Sequence, residues 1–130
     1  AFAVELAKSK RRTKLIYFTD EVEKYMHAAD LLVTKPGGLT VSEALACDIP
    51  LAVFDAIPGQ EEDNAQFLLS HNMAVRIRAG ESCGKTIRIV LADNRRLEDM
   101  RSSCERFDKS KSGENILWLI RSLTGKEKAL

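Results

Sequence analysis

Four short apolar runs stand out along the chain, at 15–19 (LIYFT), 31–34 (LLVT), 51–54 (LAVF) and 74–77 (AVRI). Each is rich in residues that suit a pleated, buried backbone, and helix-sized segments separate them. The alternation predicts βαβ units and an α/β, Rossmann-like parallel sheet of about four strands. Because the runs are apolar throughout rather than at every second position, helices are expected on both faces of the sheet.

The intervening segments carry helix-start signals. Asp20 is a candidate cap for a helix over 21–29, a Gly pair precedes 40–47, and Pro-Gly precedes 61–70. From Ser82 onward apolar residues recur at three- and four-residue spacing, predicting an all-helical tail of helices over 86–92, 95–107 and 113–123. Trp118, beside Leu117, Ile120 and Leu123, reads as a packing residue of the last of these. The stretch 109–113 (KSKSG) reads as a helix-to-helix loop, and with no repeat or low-complexity tract the whole chain reads as one domain.

Composition narrows the function classes. With 130 residues the chain can bury one ordinary core unaided. Twenty Lys and Arg against nineteen Asp and Glu leave a net charge of +1, so no global field draws the protein to nucleic acid. The basic run Lys8 to Arg12 reads as a solvated face. Cys47, Cys83 and Cys104 are odd in number and widely spaced, which argues against a disulfide framework or a zinc site and for a reducing, cytoplasmic setting. There is no apolar run long enough to span a bilayer, and the start at Ala1 instead of Met suggests a piece of a longer protein.

The stretch Thr34-Lys35-Pro36-Gly37-Gly38-Leu39-Thr40-Val41-Ser42-Glu43 sets a Pro-Gly-Gly turn between a buried strand and a helix start. Glycines allow close backbone approach, and free amides at a helix N-terminus favour an anion. In an open α/β sheet such a turn lies at the carboxyl ends of the strands, where ligands bind. Tight turns also use Gly for purely steric reasons, so both readings stay open. Glu43 follows Thr40 by three residues, a capping-box spacing, yet a carboxylate there could equally accept two hydrogen bonds from a ribose diol.

A second stretch, Ile57-Pro58-Gly59-Gln60-Glu61-Glu62-Asp63-Asn64, repeats the strand, Pro-Gly turn and helix start with hydroxyl-binding side chains. Acids in a first helical turn suit the dipole whether or not they bind anything. Gln60 and Asn64, one turn apart on one face, have less structural reason to be there. His27 and His71 fall near helix ends and read as structural, and no Ser or Cys nucleophile has a base beside it in sequence.

The two stretches together, from Ala29 to Ala44 and from Ile57 to Ala65, resemble the glycosyltransferase family that contains diacylglycerol glucosyl- and galactosyltransferases and the peptidoglycan N-acetylglucosamine transferase. The Pro-Gly-Gln-Glu form is most similar to the diacylglycerol branch, and the resemblance covers roughly residues 17–75. It implies the GT-B architecture, two Rossmann-like domains facing each other across a cleft, with this chain as the C-terminal, donor-binding one. It also implies that the acceptor domain and the first strand with its phosphate loop lie outside residues 1–130.

Carried over by residue, the resemblance puts uracil at the backbone of the segment Phe18-Thr19-Asp20, with Val22 just beyond it at the base. It puts the ribose hydroxyls on Glu43 and the diphosphate at Gly38, Leu39 and Thr40, with Gly37 beside them in the substrate-binding set. The transferred sugar falls to Gln60, Glu61 and Asn64. The implied activity is hexose transfer from UDP-glucose, UDP-galactose or UDP-N-acetylglucosamine to a lipid acceptor in glycolipid biosynthesis. The protein would be peripheral at the cytoplasmic face of a membrane, and would use no cofactor, metal or nucleic acid. The catalytic base is expected in the other domain, leaving this chain inactive alone. The alternatives are a catalytic subunit of a two-chain N-acetylglucosaminyltransferase and a non-catalytic nucleotide-sugar-binding module. A sugar-nucleotide epimerase shares the architecture without the Pro-Gly-Gln-Glu segment.

Overall fold

The computed structural model describes residues 12–107, together with Val4, Ala7, Lys8 and Lys109. Its elements are α1 (Val22–Ala28), β1 (Leu32–Thr34), α2 (Gly38–Ala46), β2 (Leu51–Phe54), α3 (Gln60–Ser70), β3 (Ala74–Ile77), α4 (Cys83–Ala92) and α5 (Asn94–Arg106). The sheet has three parallel strands in the order β1-β2-β3, with Leu32 beside Leu51 and Leu51 beside Ala74. The helix expected over 113–123 lies outside the described residues.

Strand β2 shows why the sheet needs cover on both sides. Leu51 and Val53 point into a core with Val41, Ala44 and Leu45 of α2 and Ala65 and Leu68 of α3. Ala52 points the other way, into a core with Val90 of α4 and Met100 of α5, and Phe54 packs against it. Leu51, Ala52 and Val53 are at most 1% exposed, so apolar residues are required at consecutive positions. Burying each large side chain contributes about 1.5–3 kcal/mol. Cys104 of α5 joins the first core, its Sγ 3.8 Å from the Ile49 carbonyl.

Helices α2 and α3 end the same way, and both endings deliver the chain into a strand. Asp48 and Asn72 take positive φ of 55° and 56°. Ile49 N–H then donates to Ala44 O and Met73 N–H to Leu68 O, while Asp48 and Asn72 N–H donate to Leu45 and Leu69 O. This is the Schellman ending, in which a left-handed residue turns the chain and the next side chain packs back on the helix. Asp and Asn tolerate that conformation better than other non-glycine residues. Helices α4 and α5 start on side-chain caps, Ser82 accepting from Lys85 N–H and Asp93 from Arg96 N–H.

Two expectations are corrected. Residues 15–19 form no strand: among the described residues this segment has no ladder partner, and an apolar run becomes a strand only when a neighbour satisfies its amides. It precedes α1 without regular structure, and just ahead of it Lys14 Nζ donates to the Tyr25 hydroxyl at 2.9 Å and lies over that ring. Asp20 caps nothing either. Glu21 precedes α1, with its N–H bound to Thr19 Oγ1 at 3.0 Å and no side-chain cap on the helix.

Candidate functional site

Strands β1 and β2 end side by side, and each runs through a short turn into a helix. Helix α2 begins at Gly38 with Gly37 before it, two residues earlier than the Thr40 start expected from sequence. Its first helical bond runs from Val41 N–H to Gly37 O, so the amides of Gly38, Leu39 and Thr40 lie ahead of it, and no side chain caps them. Such a helix start carries partial positive charge that favours an anion.

The two glycines of this turn are not demanded by the fold. Gly37 sits at φ −68° and ψ 144°, open to any residue, and a Cβ built on it meets nothing within 4 Å. A Cβ on Gly38 would make ordinary contacts, 3.9 Å from Gln60 Nε2 and 4.0 Å from Asn64 Nδ2. The steric account of this Gly pair therefore fails, since neither position excludes a Cβ.

The same distances show that the two sequence stretches meet. Asn64 Nδ2 donates to Pro36 O at 3.0 Å, joining the second helix to the first turn. That amide has a structural duty the sequence did not disclose, though its oxygen remains an acceptor. Glu61 has one too: its Oε2 accepts from Ile57 N–H at 2.9 Å and holds the second turn closed. Gly59 is at φ 102° and ψ −132°, a conformation reserved for glycine.

Glu43 is the sixth residue of α2, too far along to cap it, which removes the capping-box alternative. It lines a cleft of about 270 Å³ between α1 and α2 with Val22, Glu23, Met26, His27, Ala46 and Cys47. Val22 and Glu43 are thereby brought to one cleft. Phe18 and Thr19 do not line it; Phe18 is 88% exposed and Thr19 is occupied at the start of α1. Met26 and Cys47 lie four residues after Val22 and Glu43, so helical spacing from the two chosen residues points to both.

The local chemistry is acidic. Burial first, and then Glu23, Asp48 and Glu43, push the Cys47 thiol above its usual value of 9.0. Cys104, in the core, is pushed up to about 11, chiefly by burial. Beneath α3, hydrogen bonds from Arg76 and Gln66 lower the Glu62 carboxyl, with Arg76 Nη2 donating to Glu62 Oε1 at 2.7 Å. His71 closes α3 with Nδ1 2.8 Å from Phe67 O, as a helix-end histidine should. Among the described residues no group of His, Cys, Asp and Glu is placed to hold a metal, and no helix is long and apolar enough to cross a membrane.

The chain is similar to known proteins over most of its length. Processive diacylglycerol beta-glucosyltransferase of Bacillus licheniformis is 31% identical over 106 residues, 82% of this chain and 28% of that protein. The enzyme of the same name from Bacillus subtilis is 28% identical over 127 residues, 95% of this chain and 33% of that one. Monogalactosyldiacylglycerol synthase 3, chloroplastic, of Arabidopsis thaliana is 28% identical over 82% of the chain and 22% of its own length. The chain thus spans at most a third of these relatives. The crystal structure of the glycotransferase of kitacinnamycin superposes on 65% of the chain and 24% of its own, with a TM-score of 0.51 and 22% identity, a likeness of fold. The match to the glycosyltransferase family 28 C-terminal domain runs over residues 3–114, through the sheet, the cleft and both turns, and the chain belongs to that family.

Proposed function

We propose that this chain is the donor-binding domain of a UDP-sugar-dependent glycosyltransferase that moves a hexose to a lipid acceptor such as diacylglycerol. The observation that carries the reading is the open helix start of α2, where two glycines that the fold does not require leave three amides uncovered. The names of the related diacylglycerol glucosyltransferases and of monogalactosyldiacylglycerol synthase support the choice of donor and acceptor classes.

In this reading the nucleoside lies against the cleft between α1 and α2. Val22 borders the base, the backbone of Phe18 and Thr19 meets its edge, and Glu43 accepts from both ribose hydroxyls. The diphosphate then comes to the amides of Gly38, Leu39 and Thr40. Gln60, the remaining oxygen of Asn64 and the second carboxylate oxygen of Glu61 are left for the hexose hydroxyls, one helix start away.

Transfer breaks the bond from the anomeric carbon to the diphosphate oxygen, which keeps the electron pair, while the acceptor hydroxyl oxygen forms the new bond and gives up its proton. This chain contributes to the first half, through amides and a helix dipole aimed at the charge that develops on the leaving group. The proton goes to a base outside these residues. The UDP-sugar is a substrate, and no cofactor is invoked. The protein carrying the domain would work as a peripheral protein at the cytoplasmic face of a membrane.

The test is transfer by the full-length protein, with UDP-glucose, UDP-galactose and UDP-N-acetylglucosamine offered separately over vesicles containing diacylglycerol. One donor should yield glycolipid and UDP in equal amounts. Donor binding without transfer to any lipid would reduce the reading to a nucleotide-sugar-binding module.

A further inference from the structure

Each strand of the sheet is followed at once by a charged residue: Lys35 after β1, Asp55 after β2 and Arg78 after β3. Because the strands are parallel and in register, with Thr34 beside Val53 and Phe54 beside Ile77, these charges form a row along the carboxyl edge. In an α/β sheet that edge is the ligand side. Lys35 Nζ lies 3.4 Å from Asp55 Oδ2, and the two side chains are 50% and 77% exposed. Arg78 lies on the far side of Asp55, both lining a shallow pocket of about 340 Å³ with Phe54, Ile77 and Cys83.

Lys35 also adjoins the open helix start, since its carbonyl accepts from Gly37 N–H at 2.9 Å. Asp55 is at φ 52°, a left-handed conformation that Asp tolerates better than most residues. Arg76, the other cation beneath the second turn, is already committed to Glu62. A pair as exposed as Lys35 and Asp55 contributes at most about 1 kcal/mol. A ligand with two phosphates, which also gains the helix start, therefore outcompetes Asp55 for the ammonium.

We infer that Lys35 is the cation that meets the diphosphate of the donor, and that Asp55 holds it in the empty site and opposes donor binding. This rests on the nucleotide-sugar reading above and adds to it a charged side chain and its competitor. It makes Lys35 a diphosphate-binding residue that also stabilises the leaving group, and Asp55 a residue that tunes donor affinity.

The experiment is calorimetric titration of the full-length protein with UDP and, separately, with uridine, which lacks phosphates. Lys35→Gln should weaken UDP roughly tenfold and leave uridine unchanged, while Lys35→Arg stays within about threefold of the parent. Asp55→Asn, which keeps a residue tolerant of positive φ, should tighten UDP about threefold in the parent background. In the Lys35→Gln background it should do nothing. Equal UDP affinity of Lys35→Gln and parent, or equal loss of UDP and uridine, overturns the role of Lys35. Weaker UDP binding by Asp55→Asn overturns the competition. If the parent binds neither UDP nor uridine, the nucleotide-sugar reading falls, and this inference with it.

Discussion

The turns after β1 and β2 look alike in sequence, each passing from a strand through Pro-Gly into a helix, yet they are built for opposite ends. In the second turn Asp55 and Gly59 have φ of 52° and 102°, and the Glu61 carboxylate grips Ile57 N–H, so its glycine serves the backbone. In the first, Gly37 and Gly38 have ordinary backbone and room for a Cβ, so the backbone does not require glycine there, and in the proposed reading the pair serves the donor. A Pro-Gly signature alone does not separate structural from ligand-facing glycine; the dihedral angle and the space around the Cα do.

The contrast is broken or sharpened by substitution, and the largest effect belongs to the second turn. Gly59→Ala forces a side chain into a region only glycine occupies freely and should cost about 1–3 kcal/mol, read from urea unfolding midpoints. An unchanged midpoint would erase the distinction. Next is Asn64→Ala, which strands the Pro36 carbonyl and unties the two turns; a loss of about 1–2 kcal/mol is expected in the same assay.

A pH-dependent effect should follow from Glu62. Its folded-state carboxyl lies below the ordinary 4.5, so its contribution is full above that value and is lost as pH falls through the lowered one. Thermal melts of Glu62→Gln and parent should differ near neutrality and converge in acid, and a constant gap would deny the Arg76 contact its role. The smallest stability effect belongs to the first turn: Gly37→Ala should stay within about 0.5 kcal/mol of the parent, or rise slightly, because only the unfolded chain loses freedom. Its cost should appear in UDP affinity instead.

Much of the fold was legible because strands buried on both faces leave an unbroken apolar run. The runs at 31–34, 51–54 and 74–77 became β1 to β3 with shifts of at most a residue. The run at 15–19 is similarly apolar but has no strand neighbour among the described residues, and pairing is not a local property of sequence. The meeting of the two stretches was implied by a shared edge of the sheet, while the bond from Asn64 to Pro36 depends on how α3 packs and leaves no trace in spacing. The capping-box reading of Glu43 failed because the helix starts at Gly38, two residues before Thr40, which puts Glu43 beyond the first turn. Lys35 and Asp55 escaped notice because only the folded sheet, with β1 beside β2, brings their side chains within 3.4 Å.

The most direct test of a nucleotide site spanning the cleft and the open turn is the affinity of UDP for the parent full-length protein and for Glu43→Ala. Glu43 makes no cap, so the variant should fold as the parent does, with superimposable circular dichroism. The account predicts that loss of the ribose contacts weakens UDP by about tenfold or more. A folded Glu43→Ala protein that binds UDP as tightly as the parent would contradict it.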